Sequence, residues 1–141
     1  MAEAVRCRLQ ARPVCDGRLG CVGYMELSYD PASPWEVRLS EGPAGGGEQV
    51  VFARELLVQA LDGSPAGEGA VRARLRHLPG ARHAMLSLQV EAGDGPPLEF
   101  GLSDDAVATF VARTLRQVPL GEEWQHVDLD AEASALLGEA A

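Results

Sequence analysis

The sequence predicts an α+β domain of mostly antiparallel sheets with two or three helices. Two observations carry that class. Seven short runs alternate apolar and polar residues, the period of half-buried strands, with turn residues between them. Helical patterns interrupt that series once and otherwise follow it, so the strand–helix–strand alternation of a parallel sheet is missing. At 141 residues, 46% of them hydrophobic, the chain is expected to form one domain over 1–141 with the last few residues frayed.

Val5 to Ala11 opens the series, with Val5, Cys7, Leu9 and Ala11 on one face and Arg6, Arg8 and Gln10 on the other. Pro13 to Gly20 reads as a turn region, and Cys21 to Tyr29 as a second strand with Met25, Leu27 and Tyr29 on one side. Asp30-Pro31-Ala32-Ser33-Pro34 is a rigid connector, because each proline fixes its own φ and restricts the residue before it. Trp35, Val37 and Leu39 then share one face of a third strand, up to Ser40. The glycine-rich stretch 42–47 is a hairpin tip; without Gly-Lys-Ser/Thr it is no phosphate loop. Val50 and Val51 end a fourth strand.

The central helix follows at once. At 100° per residue, Phe52, Ala53, Leu56, Leu57, Ala60 and Leu61 fall on one half of its circumference. Arg54, Glu55 and Gln59 fall on the other half, with Val58 as an apolar residue among them. Asp62-Gly63 ends the helix, since glycine accepts the left-handed conformation of a helix stop.

Three strands come next. Val71 to His77 sets Val71, Ala73 and Leu75 against Arg72, Arg74 and Arg76; His83 to Ala92 follows a Pro79-Gly80 turn; Leu98 to Leu102 is short. Ser103 caps a second helix whose positive first turn carries Asp104 and Asp105. Ala106, Val107, Phe110, Val111, Thr114 and Leu115 form its inner face, and it stops before Pro119. Gly121 to Val127 reads as extended or irregular. Asp128 or Asp130 caps a last helix with Leu129, Ala133, Leu136 and Leu137 on one face.

Composition excludes several functions. The net charge of -9 argues against a general role in binding nucleic acid, which depends on neutralising phosphates. All twelve basic residues are arginine, and Lys, Asn and Ile are absent, which points to a GC-rich genome rather than to a function. Cys7, Cys15 and Cys21 fit no zinc spacing and read as free thiols of a reducing compartment. No signal peptide or apolar run long enough to span a bilayer is present, so the expected location is cytoplasmic.

Catalytic and metal-binding patterns are missing too. His77, His83 and His126 have no metal spacing, and no nucleophile motif occurs. Among the carboxylate pairs, Asp104-Asp105 and Asp128/Asp130 read as helix starts and Glu122-Glu123 as solvated. No cofactor is expected. Two clusters remain. The row Arg72, Arg74 and Arg76 could hold an anion or an acidic partner. Arg54, Glu55, Val58 and Gln59, read as the exposed side of the central helix, suit a partner contact with one apolar anchor among charged residues.

Four segments, in order, also carry a family resemblance: Leu27 to Val37 (LSYDPASPWEV), VFARELL from Val51 with Gly69-Ala70-Val71-Arg72 beyond it, Phe110 to Glu122 (FVARTLRQVPLGE), and His126 to Leu137 (HVDLDAEASALL). Together they resemble the SsgA-like proteins of sporulating actinomycetes. That resemblance implies a whirly-like fold, a trimeric assembly and a non-enzymatic role in sporulation-specific cell division. It implies a place at the division septum, with FtsZ or an SsgA-like paralogue as partner. The competing implication of a whirly-like fold is single-stranded nucleic-acid binding.

Overall fold

The computed structural model describes residues 3–41, 49–67, 69–91 and 93–127. The strands are β1 (Val5–Cys15), β2 (Arg18–Leu19), β3 (Gly23–Tyr29), β4 (Glu36–Glu41), β5 (Gln49–Ala53), β6 (Val71–Arg76), β7 (Met85–Val90) and β8 (Leu98–Ser103). The helices are α1 (Arg54–Leu61) and α2 (Asp104–Gln117), followed by a 3-10 turn at Glu123–His126. The proposed last helix and the glycine-rich tip lie outside the described residues.

Every strand pair is antiparallel, in the order β5-β4-β3-β1-β8-β7-β6, with β2 paired to β1 alone. This is the α+β, antiparallel architecture that the alternating runs predict. The sheet has two halves. Residues 5–53 form a meander ending in β5, residues 71–103 form another ending in β6, and the halves join where β1 meets β8 at Ala11↔Leu102, Arg12↔Gly101 and Pro13↔Phe100. Helix α1 follows β5 and packs on β6, the strand at the opposite edge, so the sheet curls until α1 bridges its two ends. Helix α2 packs on β1, β8, β7 and α1.

Alternation decides the inner face. Val5, Leu9, Met25, Leu27, Tyr29, Val37, Leu39, Phe52, Leu86, Leu88 and Leu102 bury there against Leu57, Ala60, Val107, Phe110 and Val111 of the helices. Burying a residue such as Leu27 contributes roughly 2 kcal/mol. The outer face carries the charged alternates.

Two sequence expectations shift. The region 13–20 is not only turn: β1 runs on to Cys15 and pairs with β2 through Asp16-Gly17, both at positive φ (52° and 74°), as a two-residue hairpin requires. Leu19 of that hairpin folds onto the outer face over Gly101, where a Cβ would meet Leu19 at 3.1 Å and Met85 at 3.3 Å. Phe52 and Ala53 belong to β5, pairing with Val37 and Glu36, and not to the helix. The prediction for α2 holds: the Ser103 hydroxyl accepts from Ala106 N at 3.3 Å, and the helix ends before Pro119.

Candidate interaction surface

Starting α1 at Arg54 changes which face it buries. With Phe52 and Ala53 removed, the centre of the apolar stripe turns by roughly 20° toward Arg54, and by roughly 45° once Val58 is counted in it. Arg54 is then inside. It is 1% exposed, where the sequence reading placed it on the partner-facing side. Val58 is half-buried against the core rather than an isolated surface residue. Of that proposed group only Glu55 and Gln59 are exposed, joined by a 3.3 Å hydrogen bond from Gln59 Nε2 to Glu55 Oε1. Beside them Val58, Leu61, Asp62 and Val111 line a shallow depression of about 340 Å³.

The Arg54 side chain reaches the end of α2. Its Nη1 donates to the carbonyls of Val118 (2.7 Å) and Thr114 (3.3 Å), which sit at the negative end of that helix. Its Nη2 donates to Glu123 Oε1 at 3.1 Å, and the guanidinium lies 5.0 Å from the Tyr29 ring centroid. Glu123 is therefore buried, not solvated: its other oxygen accepts from Gly121 N at 2.9 Å and holds the turn after α2. Burial pushes the Tyr29 phenol pKa up, against the opposing Arg54 charge. Tyr29 Oη donates to Pro34 O at 2.9 Å.

The main chain closes a ring through the same residues. Arg54 N donates to Trp35 O at 2.7 Å, while Trp124, next to Glu123, packs edge-on against Trp35 with centroids 4.8 Å apart. The loop before Trp35 is fixed as well, by Ser33 N to Asp30 O and Ala32 N to Asp30 Oδ1, both 2.9 Å. The chain's two tryptophans thus form a held pair that stays 41% and 64% exposed. Sequence reasoning missed it. The only signal was that both tryptophans stand beside proline- or glycine-bearing turns, which gives no pairing.

The arginine row divides. Arg72 and Arg74 are exposed on β6, beside a depression of about 400 Å³ that also takes in Pro65, Gly67, Ser87 and Gln89. Arg76 is already paired, donating to Glu99 Oε2 at 2.5 Å, an oxygen to which the Ser87 hydroxyl also donates. Burial alone would raise the Glu99 pKa, but the hydrogen bonds from Ser87 and Arg76 and the Arg76 charge hold it below the usual carboxylate range. Arg6, Arg8 and Arg12 lie in the same sheet, with β8 and β7 between them and β6. Arg8 sits over the Tyr24 ring at 4.5 Å, and Arg12 Nε donates to Gly20 O at 2.9 Å. Among the described residues no group of three His, Cys, Asp or Glu side chains converges for a metal ion, and no helix is long and apolar enough to cross a membrane.

Residues 24–123 match the family model described as Streptomyces sporulation and cell division protein, SsgA. The chain belongs to the SsgA family. Among its relatives, the sporulation-specific cell division protein SsgB of Salinispora tropica is 40% identical over 114 residues, covering 79% of this chain and 77% of the relative. SsgB of Frankia casuarinae is 32% identical over 96% of this chain and 92% of its own length. SsgB of Streptomyces coelicolor is 33% identical over 99% of this chain and 100% of its own length. A solved structure of SsgB, whose mutations correlate to longitudinal cell division during sporulation of Streptomyces coelicolor, superposes with a TM-score of 0.77 at 28% identity, covering 89% of this chain and 97% of that one. An SsgA-like protein of Thermobifida fusca shares the fold at a TM-score of 0.77 and 24% identity, over 95% and 96% of the two chains. The sequence resemblance is thereby established at the level of family, fold class and a role in cell division.

Proposed function

We propose that this member of the SsgA family is a sporulation-specific cell division factor that works by binding other proteins and not by catalysis. The observation that carries the reading is its similarity to SsgB proteins along nearly the whole chain. The reading places it in the cytoplasm at the division septum, as a homotrimer, with FtsZ or an SsgA-like paralogue as its partner. The described surface suits such work: its depressions are open and shallow, and two charged or amphipathic patches are available on α1 and β6.

Helix α1 offers Glu55, Val58 and Gln59 to a partner, while Arg54 supports that helix from within. A pull-down with purified FtsZ tests this, using wild type, Val58→Asp and Glu55→Arg. Capture that weakens several-fold in both variants, with native mass by light scattering, supports contact through α1. Unchanged capture removes α1 from the interface, and no capture by wild type at any salt concentration removes direct FtsZ recruitment. A monomeric mass at micromolar concentration would remove the trimer.

A second reading, single-stranded nucleic-acid binding, draws on exposed Arg72 and Arg74 and on the Arg8–Tyr24 contact. The net charge of -9 weighs against it. Labelled oligonucleotides are expected to bind no tighter than about 1 μM at physiological salt. Submicromolar binding with a steep salt dependence would reverse the preference.

A further inference from the structure

We infer that Arg72 and Arg74 form a docking site for a short, extended, acidic segment of a partner protein, one with carboxylates on alternate residues. The inference deepens the partner-binding reading above and involves neither α1 nor FtsZ.

The backbone places both arginines. β6 pairs with β7 so that Arg72 stands opposite Gln89 and Arg74 opposite Ser87. Ala73, between the two, is hydrogen-bonded both ways to Ala66, each bond 2.9 Å. The strand is therefore held along both edges at this point. Alternate residues of a strand lie roughly 6.6–6.8 Å apart, so the two side chains leave the outer face one such step apart. The connection before β6 comes close enough that a Cβ on Gly67 would land on the Val71 carbonyl oxygen. Together these segments leave a depression of about 400 Å³ beside both arginines.

Its charge has one sign. The described ion pairs are Arg54–Glu123 and Arg76–Glu99, so neither Arg72 nor Arg74 is in one. Among the described residues, no carboxylate lines the depression. The other described depressions each hold at least one: Glu91, Asp30 with Glu36, and Asp62. Glu99, opposite Gln89 on β8, is already taken by Arg76 and Ser87. In a chain of net charge -9, this spot presents two guanidinium groups to solvent.

The geometry selects the occupant. A guanidinium grips a carboxylate as a fork, and carboxylates on alternate residues of an extended segment repeat at the same step of roughly 6.6–6.8 Å. Ala66 blocks the β6 edge at Ala73, so the segment lies across the outer face and is held through side chains, not as an added strand. Single-stranded nucleic acid also offers anions, but it draws on aromatic stacking, and no aromatic residue lines this depression. Glu91 lines the adjoining depression that shares Arg72 and Gln89, which keeps the acidic run short.

The test uses the 141-residue chain and a labelled, blocked peptide in which three glutamates alternate with threonine. Its anisotropy is expected to rise saturably at low salt and to lose that rise at about 0.5 M salt. The glutamine counterpart should not bind. A peptide of the same composition with its glutamates adjacent should bind several-fold more weakly. Arg72→Gln with Arg74→Gln should weaken binding about tenfold or more, with melting unchanged because both side chains are exposed. If that pair does not fold, Arg74→Gln alone should weaken binding several-fold. Arg6→Gln with Arg38→Gln, in the cleft that also holds Asp30 and Glu36, should leave affinity within about twofold.

No binding of the alternating peptide would overturn the proposal. Equal binding of either control peptide, or unchanged affinity in the Arg72 and Arg74 variants, would do the same. An equal loss in the Arg6 and Arg38 variant would make the attraction a property of the whole surface and overturn the site. Tighter binding of an oligothymidylate of equal charge, lost in the same arginine variants, would give the patch to nucleic acid instead. Glu68 lies outside the described residues; peptide binding that tightens several-fold in Glu68→Gln would assign the depression to the chain's own carboxylate and overturn the proposal too. The peptide assay contains no FtsZ, so its failure refutes this site and leaves the cell-division reading standing. Peptide binding that persists where wild type captures no FtsZ supports the site and counts only against direct FtsZ recruitment.

Discussion

Replacing Arg54 by alanine should be among the most damaging single changes in the described fold. The side chain is 1% exposed and donates three hydrogen bonds, two to carbonyls at the end of α2 and one to Glu123. Its removal leaves a carboxylate with an 11% exposed side chain without its partner, and the Val118 carbonyl without its donor. Breaking a buried pair from one side costs about 3–5 kcal/mol, and the void beneath Tyr29 adds to it. Against a total stability of roughly 5–15 kcal/mol, the variant should lose between about a fifth and all of it. Glu123→Gln should cost less, about 1–3 kcal/mol, since the amide oxygen still accepts from Arg54. Arg54→Met combined with Glu123→Leu should recover to within about 2 kcal/mol of wild type, because no buried charge is left behind. Urea unfolding followed by circular dichroism and tryptophan emission measures all three. A cost under about 1 kcal/mol for Arg54→Ala, or a double variant no more stable than Arg54→Ala, would refute the reasoning.

Glu99→Gln should lower stability at neutral pH by about 1–2 kcal/mol. The Glu99 carboxyl is held below its ordinary value of 4.5, so its contribution is complete above that pH and lost as pH falls through the lowered value. Melts of wild type and variant should therefore begin to converge near pH 4.5 and meet only below the lowered value, and parallel curves would count against the pairing. Gly67→Ala should cost at least about 2 kcal/mol, because Gly67 sits at φ +99° and a Cβ there would land on the Val71 carbonyl oxygen; a melt within error of wild type would contradict this. Ser103→Ala should cost about 1 kcal/mol through loss of the α2 cap, measurable as a shift in the urea midpoint.

Legibility in the sequence followed the range of the forces involved. The faces of β1, β3, β4 and β6 were readable because one residue either way moves a side chain from core to water. Helix α2 was readable because Ser103, two aspartates and Pro119 mark both ends locally. The boundary between β5 and α1 was not, since Val50, Val51 and Phe52 fit either a buried strand or the start of a helix. That slip of two residues misplaced Arg54, and polarity then argued for the wrong side. The Arg54–Glu123 pair joins residues 69 apart, and the Trp35–Trp124 contact likewise joins distant segments, so no periodicity could announce either. The pairing of Arg76 with Glu99 needed the register of β6, β7 and β8, and it leaves only Arg72 and Arg74 of that row exposed.

The junction of the two half-sheets has a consequence for how the chain reaches its fold. The only described strand pairing between the halves brings Ala11, Arg12 and Pro13 to residues 100–102. Until β8 has been synthesised, the first meander has a free edge along β1, and α2, whose Arg113 donates to Arg6 O at 3.1 Å, has not yet arrived to cover it. Contacts this distant in sequence slow the search for the native state, and an unpaired strand edge during that search invites pairing with other chains. The seam is also short, so it is where the native molecule should open first into two locally intact halves. Hydrogen exchange at the β1–β8 amides should then be faster than within either meander.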